Sequence, residues 1–365
     1  MKSVRKNRLA VVISLFFIFS YLITGTKVAA AEKNPEELPG LYPKKQIKPP
    51  KSGIKLSGYF QGKYISDEDG SVKSPNQFKV MRARLKFTGK LHELIDYKLM
   101  LGAYEPPPSD SAKPALVDGY LDFAFCPYGS LKVGQFFMPF GFEGPRPIPN
   151  HPAIERSRVT HRQTNAGLKN GYSIFRDVGA SLHGKFKLFS YDLAVMNGRG
   201  SALTDTNSNE LTSDDNKMKD FLSTIRYTPC KNVMVGSSWH RGFISADAMS
   251  RNRFSAFLSG SIQDLRIMAE YITKIDQRLH TSDLRSQGAY ILLAYRYKKK
   301  YEPIIRGEVF DPDLSKNGNL LNILTLGINY FPWNDVRLAV NYEIKDNRDK
   351  SGADNLFQAL AQISF

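Results

Sequence analysis

From Ile54 to the final residue the chain repeats one pattern: about ten residues of alternating apolar and polar side chains, followed by a turn signal. In the segment starting at Gln77, the residues Met81, Ala83, Leu85 and Phe87 share one face and Arg82, Arg84 and Lys86 the other. Further on, Phe254, Ala256, Leu258, Gly260 and Ile262 oppose Arg253, Ser255, Ser259 and Ser261. Near the C-terminus Val336, Leu338, Val340, Tyr342 and Ile344 oppose Arg337, Asn341, Glu343 and Lys345. A period of two is that of a β-strand. Sixteen strands are predicted: 54–65, 77–90, 94–105, 116–126, 130–137, 175–187, 188–197, 219–228, 232–242, 251–262, 264–274, 286–297, 301–311, 320–331, 335–345 and 354–364.

The connections alternate in length. Short turns fall at 89–93, 127–129, 229–231, near Gln263, at 298–300 and at 332–334. Long loops fall at 66–76, 106–115, 138–174, 198–218, 243–250, 275–285, 312–319 and 346–353. A water-soluble sandwich buries its apolar face against a second sheet and has no reason to keep this rhythm. A transmembrane barrel turns the apolar face to lipid and carries short turns on one side and long loops on the other. An even strand number puts both termini on the periplasmic side. The fold class expected is therefore all-β, a transmembrane antiparallel β-barrel of about 16 strands occupying residues 54–365. Tyr295, Tyr297, Tyr301, Tyr330, Phe331 and Trp333 cluster at strand ends. They suit an interfacial girdle, although aromatics are enriched in strands of every kind. The last strand presents Phe357, Ala359, Ala361, Ile363 and Phe365 on one face, ending on an aromatic as outer-membrane barrels do.

The segment ahead of the barrel sets the compartment. Lys2, Arg5, Lys6 and Arg8 precede an apolar run from Leu9 to Ile23, and Val28-Ala29-Ala30-Ala31 close it with small residues. Residues 1–31 read as a signal peptide, with a retained membrane anchor as the alternative. Residues 32–53, rich in Pro, Lys and Glu, read as a periplasmic tail. After residue 31 no run of 18 apolar residues occurs, which excludes a helical membrane protein. The localisation expected is the bacterial outer membrane. The two cysteines, Cys126 and Cys230, fall four strands apart and are read as unpaired residues near turns.

Charge narrows the picture. Removing the signal segment takes away five of the 51 Lys and Arg residues and none of the 35 Asp and Glu residues, leaving a net charge of +11. A basic excess fits nucleic acid, an anionic membrane surface or anionic solutes, and export disfavours the first. The longest loop, 138–174, holds Arg146, His151, Arg156, Arg158, His161, Arg162 and Lys169 against Glu143 and Glu155. Pore-forming barrels of sixteen strands fold their long third loop into the lumen, so this segment is expected to form a basic constriction. A solvated external loop is the other reading. A basic constriction lowers the cost of holding an anion, and Arg grips phosphate or carboxylate bidentately. The candidate anion-binding residues are Arg82, Arg84, Lys86, Lys132, Arg146, Arg156, Arg158 and Arg162. Strand positions Arg226, Arg253, Arg266, Arg296, Arg306 and Arg337 also face inward. So do Asp118, Asp122, Glu270, Glu308 and Glu343, so some of these arginines are paired across the wall. The six histidines lack metal-binding spacing, and neither a Gly-x-Ser-x-Gly nor a Walker A motif occurs. No catalytic residue, metal or cofactor is expected, although a barrel enzyme with a site assembled from distant loops stays open.

Several stretches resemble one family. Phe78-Lys79-Val80-Met81-Arg82-Ala83-Arg84-Leu85-Lys86-Phe87-Thr88-Gly89-Lys90-Leu91 is similar to the second strand of the phosphate-selective porin O and P family. Leu131-Lys132-Val133-Gly134-Gln135-Phe136, with Met138-Pro139-Phe140-Gly141-Phe142-Glu143, resembles its fifth strand and the start of its third loop. Ile154-Glu155-Arg156-Ser157, Phe175-Arg176-Asp177-Val178-Gly179 and Tyr191-Asp192-Leu193-Ala194-Val195 follow in order. The resemblance implies a sixteen-stranded, homotrimeric porin conducting small anions, with phosphate or polyphosphate preferred and outer-membrane lipid around it. Its arginine-rich constriction maps onto Arg82, Arg84 and the loop arginines. Met81 stands where the family often has a further Arg, and the alternation turns it to lipid. A general or differently selective porin, and a surface barrel binding partners through loops such as 198–218, are the alternatives.

Overall fold

The computed structural model describes residues 53–67, 76–104, 114–160, 176–198, 218–244, 249–278, 280–347 and 355–365. The strands are β1 Lys55–Asp67, β2 Gln77–His92, β3 Ile95–Tyr104, β4 Pro114–Cys126, β5 Gly129–Phe137, β6 Arg176–Phe186, β7 Phe189–Met196 and β8 Asp220–Cys230. They continue as β9 Val233–Ile244, β10 Met249–Ile262, β11 Leu265–Asp276, β12 Leu284–Tyr295, β13 Tyr301–Asp311, β14 Leu321–Trp333, β15 Val336–Asn347 and β16 Leu356–Ser364. All sixteen expected strands are present, and no boundary differs by more than two residues. The signal segment and the tail lie outside the described residues.

Each strand pairs antiparallel with the next, and β16 returns to β1 to close the barrel. At the seam Tyr59 stands opposite Ser364 and Asp67 opposite Leu356, while Gly58 and Phe365 exchange backbone hydrogen bonds of 2.8 and 3.0 Å. Closure leaves no open sheet edge, as a lipid surrounding requires. Outward positions are apolar and exposed, among them Leu85, Leu193, Ile225, Phe254, Ile291, Leu326 and Val340. Tyr295, Tyr297, Tyr301 and Trp333 are exposed at one rim, and Tyr301 stacks on Tyr330 at 5.2 Å. The interior is polar: Gln61, His240, Arg251, Glu270, Glu302, Arg306, Asn329 and Asn341 are among its most buried side chains. Cys126 and Cys230 are free thiols at the ends of β4 and β8.

One face assignment is corrected. Against β1 the register runs from Gln61–Arg82 directly to Gly62–Val80, so Met81 is an extra, bulged residue. A bulge breaks the two-residue alternation locally. Met81 therefore points into the lumen, 5% exposed, and packs with Ile154, Ala339 and Leu360 rather than facing lipid.

Candidate functional site: a basic passage beside the third loop

The third loop leaves β5 and folds inside the barrel. Its described part, Met138–Thr160, crosses to the opposite wall and is fastened there strand by strand. Thr224 of β8 donates to Pro139 O, and Gly141 N donates to Ser238 of β9 at 2.9 Å. Phe142 N and Glu143 N donate to the two carboxylate oxygens of Glu270 on β11 at 2.9 and 3.0 Å. Arg158 N donates to Glu308 of β13 at 2.5 Å, and Arg306 of the same strand donates to Glu155 O at 2.7 Å. Arg337 of β15 donates to His151 O at 2.7 Å and Pro152 O at 2.6 Å, and Lys63 of β1 meets Glu155 at 2.7 Å.

Apolar contacts make the same crossing. Met138 and Phe140 pack with Met196 and Leu222, Ala153 and Val159 with Met268, Tyr290, Leu292 and Phe310, and Ile154 with Met81, Ala339 and Leu360. Burying one such side chain is worth about 1.5–3 kcal/mol, so several of them hold a loop that solvent would otherwise release. Gly141 has φ 72°, in the left-handed region, and a Cβ there would run into the Glu270 carboxylate.

A buried polar knot stabilises the loop from within. Glu143 accepts from the Thr160 hydroxyl and from Ser157 N at 2.9 Å. His151 places Nδ1 3.6 Å from Glu143 Oε1 and Nε2 3.1 Å from Arg146 O. Burial would raise the Glu143 carboxyl, but the neighbouring His151 imidazole, the Arg306 guanidinium and the Thr160 hydroxyl outweigh it and bring the group down to about 2. Burial depresses His151 to about 4, so the imidazole is neutral at neutral pH. The Arg156 guanidinium is wrapped by carbonyls of its own loop: Glu143 O at 3.3 Å, Gly144 O at 3.1 Å and Arg146 O at 2.9 Å. Burial lowers its pKa to about 9, which still leaves a cation at pH 7.

Among the described residues, the loop borders a cavity of about 710 Å³ against β1, β2, β3 and β16. Lys63, Lys79, Arg82, Arg84, Lys86, Lys98, Arg156, Arg158 and Arg176 line it, against the side chains of Glu155 and Glu343. Five of the sequence-derived candidates thus meet in one place: Arg82, Arg84 and Lys86 on the wall, Arg156 and Arg158 on the loop. Arg84 stands opposite Gly102 of β3, whose missing side chain leaves room for the guanidinium. Arg82 donates to Gln61 at 3.2 Å, and Asp118 holds both Lys98 and Arg176 at 2.6 Å. At an effective dielectric of about 20, one unit charge about 4 Å from another contributes about 4 kcal/mol. A cluster of cations of this kind lowers the cost of bringing an anion out of bulk water.

Two candidates are placed elsewhere. Lys132 is buried over the rings of Tyr120 at 5.1 Å and Phe136 at 5.5 Å, outside this cavity. Arg146 lies over Phe142 and lines a second cavity of about 340 Å³ with Arg266, Arg296, Arg337 and Glu302. Arg162, with His161 and Lys169, lies outside the described residues. Several inward arginines serve the scaffold, as expected of a wall that also carries acids: Arg306 pairs with Glu308 at 2.7 Å and Arg226 with Asp192 at 2.5 Å. Lys63, Lys79, Lys98 and Arg176 were not among the candidates. The alternation carried the signal for Lys98, which shares a face with Met100, whereas Lys79 lies beyond the bulge.

Comparison with known proteins agrees. Residues 54–233 match the family model for phosphate-selective porin O and P. An uncharacterized protein of Aquifex aeolicus (strain VF5) is 24% identical over 83% of this chain and 78% of its own length. Among solved structures, the anion-selective porin from Comamonas acidovorans superposes with a TM-score of 0.66 at 10% identity, covering 86% of this chain and 99% of that one. The trimer form of OmpT from Vibrio cholerae gives 0.60 at 11% identity over 86% and 99%. Salmonella typhi OmpF in complex with daunomycin gives 0.60 at 12% identity over 86% and 97%. The chain is an outer-membrane porin that matches the phosphate-selective porin O and P family over residues 54–233.

Proposed function

We propose that this porin conducts small anions passively through the passage between the third loop and β1–β3, with phosphate or polyphosphate preferred among inorganic ions. The observation that carries the reading is the excess of cations on that passage, nine basic side chains against two acidic ones among the described residues. Arg82 and Arg84 on the wall and Arg156 and Arg158 on the loop flank the path, and guanidinium groups suit a phosphate geometrically. The family match and the anion-selective Comamonas porin favour the same reading. Residues 1–31 serve as an export signal in this account, and the mature chain associates as a trimer, as the OmpT structure does.

The test is phosphate block of chloride current in planar bilayers. Millimolar phosphate is expected to reduce the current. Replacing Arg82, Arg84 and Arg156 together by Ala is expected to weaken the block by about tenfold or more, since each charge-assisted bond is worth about 1.5–3 kcal/mol. Phosphate that neither blocks the wild type nor discriminates the variant sinks the phosphate preference and leaves a general porin.

A further inference from the structure

The same cavity carries a second kind of surface. Inward positions of a water-filled barrel are polar as a rule. Here Ile65, Met81, Met100 and Leu356, inward residues of four adjacent strands, line the passage beside its cations. Met81 reaches it only because the bulge in β2 inverts its face, directly before Arg82 and Arg84. Apolar side chains are of no use to a hydrated inorganic ion, whose water they cannot replace. They suit a solute with an apolar part, and the flexible thioether of Met adapts to varied shapes. The cavity of about 710 Å³ lies within the roughly 300–1,000 Å³ typical of sites for small organic ligands.

We propose that the passage selects organic anions: a phosphate or carboxylate head held by Arg82 and Arg84, with a short alkyl or aryl group against Met81 and Met100. The proposal rests on the anion-porin reading and adds the class of solute. The step is non-covalent, with the head exchanging water for guanidinium donors while the apolar group leaves water for the methionines.

The experiment measures block of chloride current in the wild-type channel by two matched pairs, phenyl phosphate against inorganic phosphate and benzoate against acetate. In at least one pair the aryl anion is expected to block at about fivefold lower concentration or less, the advantage of burying a small apolar group. A pair that separates identifies the head group. M100Q, which leaves the Met81–Ile154 packing in place, and independently M81S, are each expected to bring that ratio close to one. Equal block within both pairs in the wild type overturns the proposal, as does a ratio that both methionine variants leave intact. The wild-type reversal potential in a salt gradient reports the anion reading separately. A chloride-selective channel with equal pairs therefore refutes only the organic-anion claim, and a potassium-selective channel refutes the reading beneath it.

Discussion

Arg337 shows what an inward arginine does in this lumen. Its three guanidinium nitrogens donate to Asn329 Oδ1 at 2.9 Å, His151 O at 2.7 Å and Pro152 O at 2.6 Å, so it is a fastener of the loop. Replacing it with Ala leaves His151 O and Asn329 Oδ1 without these donors, while Pro152 O keeps its bond from Asn329 Nδ2, at about 1–3 kcal/mol for each buried group left unsatisfied. R337A is therefore expected to keep a folded, heat-modifiable barrel whose loop is cut faster by protease within residues 138–160. Unchanged cleavage contradicts the assignment. At this scale the sequence was partly readable. Alternation alone turned Arg82, Arg84 and Lys86 inward, and they do line the passage. It failed at Met81, because a one-residue bulge is set by the register against β1 and leaves no local trace in composition. Nor could it separate Arg156, on the passage, from Arg337, on the fastening side, since both are basic residues with inward surroundings.

At the scale of elements, the loop's attachment is expected to depend on pH. His151 is depressed to about 4 from 6.5 and Glu143 to about 2 from 4.5 in the docked loop. A group with a depressed pKa adds stability in full above its unperturbed value and loses it as pH falls toward the depressed one. The His151 contribution thus disappears between pH 6.5 and about 4, and that of Glu143 between pH 4.5 and about 2. Single-channel recordings are expected to show steady open current at pH 7 and more frequent closures as pH falls toward 4. Identical open lifetimes across that range contradict this. Strand positions were legible because alternation and turn residues are local signals. The loop's route was not, because its partners Ser238, Glu270, Glu308 and Arg337 lie about a hundred or more residues along the chain.

For the whole molecule, the closed wall follows from one physical demand. A sheet in lipid has no water for its edge groups, so β16 must return to β1, and an apolar exterior must pair with a polar interior. The described part of the third loop lies between a side where acids and arginines pair and a cavity where basic side chains outnumber acidic ones. Net charge alone pointed to anions without locating them; among the described residues, nine basic side chains gather on the larger cavity beside the loop, and four arginines line the smaller one. The most direct measurement is the zero-current potential of the wild-type channel in a planar bilayer under a KCl gradient. A sign showing chloride more permeant than potassium is what this charge arrangement predicts, shrinking as ionic strength screens the fixed charges. A potential of the opposite sign, with potassium the more permeant ion, contradicts it.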